Sequence, residues 1–249
     1  MSDRIAMEVL EIATPDGAME TRMFKPSGSA RRGGVILYMD AFGLRPELDD
    51  MCRRYAEQGY VGFLPDLFHR IGSPRFAPPR TAEEPLDPGM HAANDATSIE
   101  GSLVDTAAVL QFAERQTELA GLRFGAVGHC MGARHALAAA ARFGERVKAA
   151  SCLHGGRLVW EGPSSPHRFI PEVRGALYFG FAANDITCPD AHKVVIEGTI
   201  AAYGANAVTE HFAAHHGWTF PERWCFDAGA AKRAWEQTIA MFDHHVARE

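Results

Sequence analysis

The sequence predicts an α/β fold in which a mostly parallel sheet carries helices on both faces. Continuous apolar runs, such as residues 35–39 and 60–64, have the composition of strands covered on both sides. Segments with helical apolar spacing alternate with these runs through the middle of the chain, which favours parallel βαβ units. One run, at 125–127, leads through a glycine-rich turn into an alanine-rich helical segment.

The predicted sheet has about eight strands. Segments 7–12 and 19–24 flank the turn Pro15-Asp16-Gly17 and indicate an antiparallel N-terminal hairpin. The other predicted strands are 33–39, 60–64, 125–127, 147–153, 175–181 and 207–212.

Helix signals fall between these strands. Pro46 and Gly59 are a typical start and stop, and Ser102-x-x-Asp105 resembles a capping box that opens a helix to residue 120. Further helices are predicted after the turn at 128–132, at 189–203 and at 229–246. The proline-rich stretch 67–101 is predicted to be a long loop or partial lid. With no internal repeat and no linker, residues 1–249 are predicted to form one domain.

Composition excludes several classes of protein. A net charge of −6 argues against nucleic acid or an anionic membrane surface as partner. The start, Met1-Ser2-Asp3-Arg4, shows no secretory signal, and no apolar run is long enough to span a bilayer. The 5 cysteines are scattered and odd in number, as expected for reduced thiols, so we expect a cytoplasmic protein.

The most informative stretch is Gly128-His129-Cys130-Met131-Gly132. A strand, a sharp turn and a helix around Gly-x-Ser-x-Gly form a nucleophile elbow, and here cysteine stands at the apex. The pentapeptide alone is a weak signal, because a free cysteine is most often a small buried apolar residue. The flanking strand and helix make catalysis by Cys130 an equal alternative to that structural role, and the rest of the chain must decide between the two.

Polar residues that follow the predicted strands give further candidates, because functional groups gather at the carboxyl ends of parallel strands. Asp40 follows 35–39, Asp185 follows 175–181, and His215 and His216 follow 207–212. The order Cys130, Asp185, His216 is the chain order of α/β-hydrolase triads, so the fold is predicted to be an α/β-hydrolase fold.

Each residue then has a chemical role. His216 could take the thiol proton of Cys130, and Asp185 could orient the imidazole. The amides of Met131 and Ala41 could form the oxyanion hole. His215 is the nearest rival to His216, which we favour because a glycine follows it.

A metal site is the competing hypothesis. His211, His215 and His216, with Asp185 or Cys225, have suitable ligand types. His211, however, lies inside a predicted strand, and neither an HExxH motif nor a Cys-x-x-Cys pair is present. We therefore expect no metal and no cofactor.

Taken in order, these motifs resemble the dienelactone hydrolase family of α/β-hydrolases over nearly the whole chain. The matching pieces are Asp40-Ala41-Phe42-Gly43-Leu44, Gly59-Tyr60-Val61, Leu64-Pro65-Asp66-Leu67-Phe68, the pentapeptide around Cys130, Asp185 with Pro189, and His216-Gly217-Trp218. The resemblance implies a Cys130–Asp185–His216 triad and hydrolysis of an ester or lactone through a thioester, with no metal or cofactor.

Two positions depart from the best-known members of that family. Asp40 stands where they carry a glutamate that holds the resting thiol, so Asp40 is expected to modulate the thiol from a shorter side chain. Phe220 stands where they carry a substrate-binding arginine, and Arg223 is only a displaced candidate for that role. Phe42, Trp218, Arg223 and His167 are the expected substrate contacts.

The sequence thus predicts a cysteine-dependent ester or lactone hydrolase with a small-molecule substrate, acting as a monomer or homodimer. Two alternatives remain open at this point. The same site could hydrolyse thioesters or transfer acyl groups. The chain could also be a non-catalytic binding protein that retains the fold, which the aspartate at position 40 favours.

Overall fold

The computed structural model describes residues 5–27 and 31–247, and one eight-stranded sheet runs through them. The strands are β1 (Ala6–Thr14), β2 (Gly17–Lys25), β3 (Gly33–Tyr38), β4 (Tyr60–Pro65), β5 (Phe124–His129), β6 (Val147–Leu153), β7 (Ala176–Asn184) and β8 (Ala207–His215). Their order across the sheet is β1-β2-β4-β3-β5-β6-β7-β8. Strand β2 is antiparallel to both β1 and β4, and every other neighbouring pair is parallel. The predicted α/β-hydrolase sheet with its antiparallel N-terminal hairpin is confirmed.

Helices cover both faces of this sheet. They are α1 (Pro46–Glu57), α2 (Pro88–Ala96), α3 (Ile99–Arg115), α4 (Gly132–Arg142), α5 (Asp190–Tyr203) and α6 (Ala228–His245). On β5, a Cβ at Gly125 would meet the ring of Phe242 on α6, whereas a Cβ at Gly128 would meet the start of α4. Since these two positions point to opposite sides of the strand, α6 and α4 lie on opposite faces.

The central strands are apolar because both faces are covered. All six residues of β3, of β4 and of β5 are buried. Strand β8 lies at the edge of the sheet and is mostly half-exposed, which explains its mixed polar and apolar sequence. Strands β3 and β5 to β8 run parallel, so they end at the same edge of the sheet, where the loops that follow them meet.

The prediction of a continuous loop over 67–101 is wrong in part. This stretch contains a short 3₁₀ turn at His69–Ile71 and the helix α2, which Asp87 caps by accepting from the Gly89 amide at 2.7 Å. Proline at the first position of α2 is compatible with a helix start, so proline content alone misled the prediction.

The predicted start of the next helix is also corrected. Helix α3 begins at Ile99, and Ser98 caps it by accepting from the Gly101 amide at 2.9 Å. Ser102 is buried inside the helix, where its hydroxyl donates to the Ile99 carbonyl at 2.8 Å. A serine four residues earlier provided the cap, because only Ser98 has the extended backbone that the capping position needs.

Among residues 5–27 and 31–247, no helix combines the length and the apolar character that crossing a bilayer requires.

Candidate active site

Cys130 stands at a sharp turn between β5 and α4. Its φ is +53°, a left-handed conformation that side chains with a Cβ rarely adopt. The turn is tight: a Cβ at Gly128 would lie 2.1 Å from the carbonyl oxygen of Gly132, and one at Gly132 would lie 2.3 Å from that of Tyr38. Only glycine permits these two approaches, so the sequence forces Cys130 to the rim of the sheet in a strained conformation.

Asp185 and His216 meet at the ends of the neighbouring strands β7 and β8. Oδ2 of Asp185 lies 2.7 Å from Nδ1 of His216. Its other oxygen, Oδ1, accepts from the amide of Thr187 at 2.8 Å, from the hydroxyl of Thr187 at 2.6 Å and from the amide of Cys188 at 3.2 Å. Burial raises the pKa of Asp185, but the bonds from His216 and Thr187 outweigh it, so its net pKa is lowered and the group is a carboxylate.

The other nitrogen of His216, Nε2, is buried and has no hydrogen bond of ordinary geometry to a described residue. The thiol of Cys130 is close enough that the two groups shift each other's pKa. Burial opposes both charges, yet the imidazolium lowers the pKa of Cys130, and the thiolate together with Asp185 raises the pKa of His216. Each of the two groups therefore favours the charged form of the other.

The amides of Met131 and Ala41 follow the ends of β5 and β3. Each residue is buried, and neither amide donates a hydrogen bond to another residue in the part of the chain that the structure describes. Buried amides are nearly always paired, so these two unpaired amides are candidates for an oxyanion hole.

Asp40 is not bonded to the thiol. Both of its oxygens accept from Arg45, at 2.6 Å and 2.9 Å, and Oδ1 also accepts from the amide of Phe42 at 3.1 Å. The negative charge of Asp40 does raise the pKa of Cys130. Sequence reasoning missed Arg45, because it precedes Pro46 and has the position of an ordinary helix-capping residue.

The expected substrate contacts fall into two groups. The guanidinium of Arg223 lies 5.2 Å from the ring of Phe42, lowers the pKa of Cys130, and donates no side-chain hydrogen bond to another described residue. Trp218, by contrast, has no exposed surface and packs on Phe212 with 4.6 Å between ring centroids. The expectation that Trp218 contacts the substrate is therefore corrected: it is a core residue beneath the site.

His167, the remaining expected contact, is half-buried in a 3₁₀ turn. Its Nδ1 is bonded to Ser165 at 2.8 Å. Burial, and then the proximity of Arg168 and His192, lower the pKa of His167, so the ring is neutral. His192 lines the cleft described next, whereas His167 does not.

An open cleft of about 680 Å³ lies beside the Asp185–His216 pair. Thr187 forms part of its wall, together with residues of the 67–101 stretch, α3, α4 and the loop after β6. Arg134 is 95% buried there, and its Nη2 donates only to the neutral oxygens of Asn94 and Thr97. Burial lowers the pKa of Arg134 to about 10. The cleft thus places a cation without a carboxylate partner, among the described residues, near Cys130.

His154 is a second residue that sequence reasoning missed. Its ring lies edge-on to that of His216, with 5.0 Å between centroids, and its Nε2 is 2.7 Å from the hydroxyl of Thr219. Burial, and then the charge of His216, hold the pKa of His154 well below its usual value. A neutral imidazole therefore supports the back of His216. The only signal in the sequence was its position directly after β6, because the other candidate residues also follow the ends of strands.

The three histidines of the metal hypothesis point to different partners. His211 is 2.7 Å from a carboxylate oxygen of Glu197, the ring of His215 packs at a tilt against Trp224 with 5.1 Å between centroids, and His216 is held by Asp185. Within residues 5–27 and 31–247, no cluster of three or more His, Cys, Asp or Glu side chains is arranged to hold a metal ion.

Comparisons with known proteins agree with this geometry. The sequence profile of the dienelactone hydrolase family matches residues 19–246. A Synechocystis protein provisionally named a carboxymethylenebutenolidase is 26% identical over 215 residues, which are 84% of each chain.

Two solved structures share the fold. A Klebsiella pneumoniae protein provisionally named a dienelactone hydrolase superposes with a TM-score of 0.85 at 22% identity, over 97% of this chain and 99% of that one. A dienelactone hydrolase-like promiscuous phosphotriesterase from metagenomic libraries superposes with a TM-score of 0.75 at 20% identity, over the same shares of the two chains.

The family match covers most of the chain, including both sides of the elbow and the strand ends that carry Asp185 and His216. The alternative of a binding protein that merely retains the fold is therefore set aside. The chain belongs to the dienelactone hydrolase family of α/β-hydrolases, and it is an ester or lactone hydrolase.

Proposed function

We propose that this enzyme cleaves its ester or lactone substrate with Cys130 as nucleophile, His216 as general base and acid, and Asp185 as the group that orients the imidazole. The observation that carries the proposal is the 2.7 Å bond between Asp185 and His216, which leaves Nε2 of His216 to the thiol on the strained elbow. These are the three relations that nucleophilic acyl transfer requires.

Acylation requires the proton of the Cys130 thiol to be on Nε2 of His216. The sulfur electron pair attacks the carbonyl carbon, and the carbonyl π electrons move to oxygen. When this oxyanion collapses, the bond to the leaving oxygen breaks and His216 donates its proton to that oxygen. The products are a thioester on Cys130 and an alcohol, which in a lactone stays attached to the acyl chain.

Deacylation repeats these steps with water. His216 takes a proton from water, the resulting hydroxide attacks the thioester carbon, and the thiolate of Cys130 leaves. Asp185 stays ionised throughout, because its lowered pKa lets it stabilise the imidazolium without taking the proton.

The oxyanion would be bound by the amides of Met131 and Ala41. Both amides are unpaired within the described chain and lie at the two strand ends that flank the thiol. Pre-oriented donors of this kind contribute about 3–4 kcal/mol each to transition-state stabilisation. We therefore propose that Gly132 is required at its position chiefly because it lets the elbow approach β3, which carries Ala41 into place.

The substrate would extend from Cys130 into the 680 Å³ cleft, toward Arg134. Thr187 connects the triad to this cleft, since its hydroxyl bonds Asp185 and its side chain lines the cleft. Arg223 acts on the thiol from outside this lining, and neither Phe42 nor His167 belongs to the lining.

Turnover of p-nitrophenyl acetate tests the triad. We expect Cys130→Ala and His216→Ala each to lose at least about 1,000-fold in kcat/KM. His215→Ala is the matched control, because it removes the adjacent, exposed histidine and should stay within about twofold of wild type. Mass spectrometry of the quenched wild type should show one acetyl group on the peptide that contains Cys130. Full activity in Cys130→Ala would refute the cysteine mechanism.

Two related classes of substrate fit this mechanism. An oxygen ester and a thioester give the same acyl-enzyme and differ only in the leaving atom. Comparing kcat/KM of the wild type for phenyl acetate and S-phenyl thioacetate separates an ester hydrolase from a thioester hydrolase. Comparing hydrolysis with transfer to an added alcohol separates a hydrolase from an acyl transferase.

We further propose that the enzyme works as a single-domain monomer or homodimer in a reducing compartment such as the cytoplasm. All five cysteines are free thiols, which supports the reducing compartment. Sedimentation equilibrium of the purified chain measures its oligomeric state.

A further inference from the structure

Asp40 and Cys130 hold matching places at the ends of two neighbouring strands. Tyr38 of β3 pairs in parallel register with Gly128 of β5, and Asp40 and Cys130 each stand two residues further on. A negative charge at Asp40 is therefore set beside the nucleophile, where it opposes ionisation of the thiol.

Arg45 occupies both oxygens of Asp40. Its Nη1 and Nη2 donate to Oδ1 and Oδ2 at 2.6 Å and 2.9 Å, which is the two-pronged geometry of the strongest arginine–carboxylate pairs. Asp40 has no exposed surface and the side chain of Arg45 is only 9% exposed. No hydrogen bond joins Asp40 to Cys130 in the described chain, so the carboxylate is turned toward the arginine.

Arg45 is itself fixed from its other side. Its Nε donates to Glu222 at 2.5 Å, and its guanidinium lies over the rings of Phe220 and Phe42, at 4.9 Å and 5.7 Å from their centroids. Moving Asp40 away from Arg45 would leave the buried charge of Asp40 without its ionic partner, which is strongly unfavourable. The carboxylate is therefore not free to swing to the thiol.

We propose that Arg45 is a positioning residue that holds Asp40 away from Cys130, so that the free enzyme rests with the thiol proton on His216. Substrate is then not needed to activate the nucleophile. The proton leaves Sγ and binds Nε2 of His216, giving a thiolate and an imidazolium with no other group changing charge. This inference rests on the proposed function of Cys130 and concerns its state before substrate binds.

Four charged groups act on the thiol. His216 and Arg223 favour the thiolate, Asp40 opposes it, and Arg134 interacts with it from the cleft. His154, behind His216, is neutral. Arg45 is not one of these four groups and acts on the thiol through Asp40. Removing the charge of Asp40 should therefore reverse the effect of removing Arg45.

Alkylation of the free enzyme by iodoacetamide across pH, followed by intact mass, tests the proposal. Arg45→Gln leaves the charge of Asp40 uncompensated, so we expect the midpoint of alkylation to rise by about one pH unit and alkylation below that midpoint to slow by about tenfold. The double variant Arg45→Gln/Asp40→Asn removes that charge as well and should return to within about threefold of wild type. Cys130→Ser reports labelling at the other cysteines.

An unchanged midpoint in Arg45→Gln, or a folded double variant that stays slow, would overturn the proposal. If Arg45→Gln does not fold, Asp40→Asn is decisive by itself. It removes the charge that opposes the thiolate and should lower the midpoint, whereas an unmoved midpoint overturns the proposal. Loss of esterase activity in Cys130→Ala is measured separately, so failure of the triad and failure of the Arg45 mechanism give different results.

Discussion

Asp40 and Asp185 are two buried aspartates at the same edge of one sheet, and each follows a parallel strand. Asp185 accepts from His216, a group that can gain and lose a proton during a reaction. Asp40 accepts from Arg45, a group that keeps its charge at every working pH. The two carboxylates share burial, charge and placement, and differ in the partner that the tertiary structure provides.

This difference gives the two residues opposite effects on the same thiol. Asp185 stabilises the imidazolium, which in turn favours the thiolate of Cys130, whereas the charge of Asp40 disfavours that thiolate. A strand-end aspartate in this fold therefore cannot be assigned a role from its position. Its role is set by whether its partner can release a proton.

The largest expected effect separates the two residues by activity. Asp185→Asn should reduce kcat/KM for p-nitrophenyl acetate by about 100- to 10,000-fold, because the amide can hold the imidazole in the wrong tautomer. Asp40→Asn should reduce it less than about tenfold, since Asp40 does not contact His216. Asp190→Asn, at an exposed residue five positions after Asp185, is the control and should be silent. Similar losses in the two buried-aspartate variants would remove the distinction.

Asp40 should matter more for the stability of the fold than for activity. Asp40→Asn leaves Arg45 buried with only Glu222 as carboxylate partner, so we expect a loss of about 2–4 kcal/mol in the free energy of unfolding. Urea denaturation followed by circular dichroism measures this loss. A double variant that also carries Arg45→Met should recover part of it, because no buried charge is then stranded. A loss below about 0.5 kcal/mol in the single variant would mean that the pair is not important for stability.

The pH dependence of kcat/KM should move in opposite directions. In the wild type, the lowered pKa of Cys130 places the acid limb below the ordinary thiol value, and the raised pKa of His216 keeps the pair intact toward alkaline pH. Asp185→Asn removes support for the imidazolium and should shift the acid limb upward, whereas Asp40→Asn should shift it downward, each by about one pH unit. Shifts in the same direction would contradict the assignment of the two carboxylates.

The smallest expected effect concerns the arginines that lack a carboxylate partner in the described chain. Arg134→Gln and Arg223→Gln should each lower kcat/KM for p-nitrophenyl glutarate, which carries a carboxylate, by about tenfold, the scale of one charge-assisted hydrogen bond. The neutral ester p-nitrophenyl pentanoate, of the same chain length, should change less than about twofold. Equal losses on both esters would indicate a structural role, such as the bonds from Arg134 to Asn94 and Thr97.

Local rules in the sequence determined much of this enzyme. Alternating apolar and helical segments specified the sheet and its helices, because burial on both faces requires continuous apolar strands. The glycines at 128 and 132 specified the elbow, since no other residue permits the approaches that they make. The polar residues that follow the strands identified Cys130, Asp185 and His216 as candidates, because parallel strands end at one edge of the sheet.

Only the tertiary structure decided the partners of those residues. Arg45 follows Asp40 by five positions, but Glu222 and Phe220, which fix its guanidinium, come from the far end of the chain. Trp218 follows the candidate histidine in sequence and yet lies in the core. The physical reason is that local sequence sets backbone shape through sterics and periodicity, whereas the charge state of a buried group depends on its neighbours in space, which chain order does not specify.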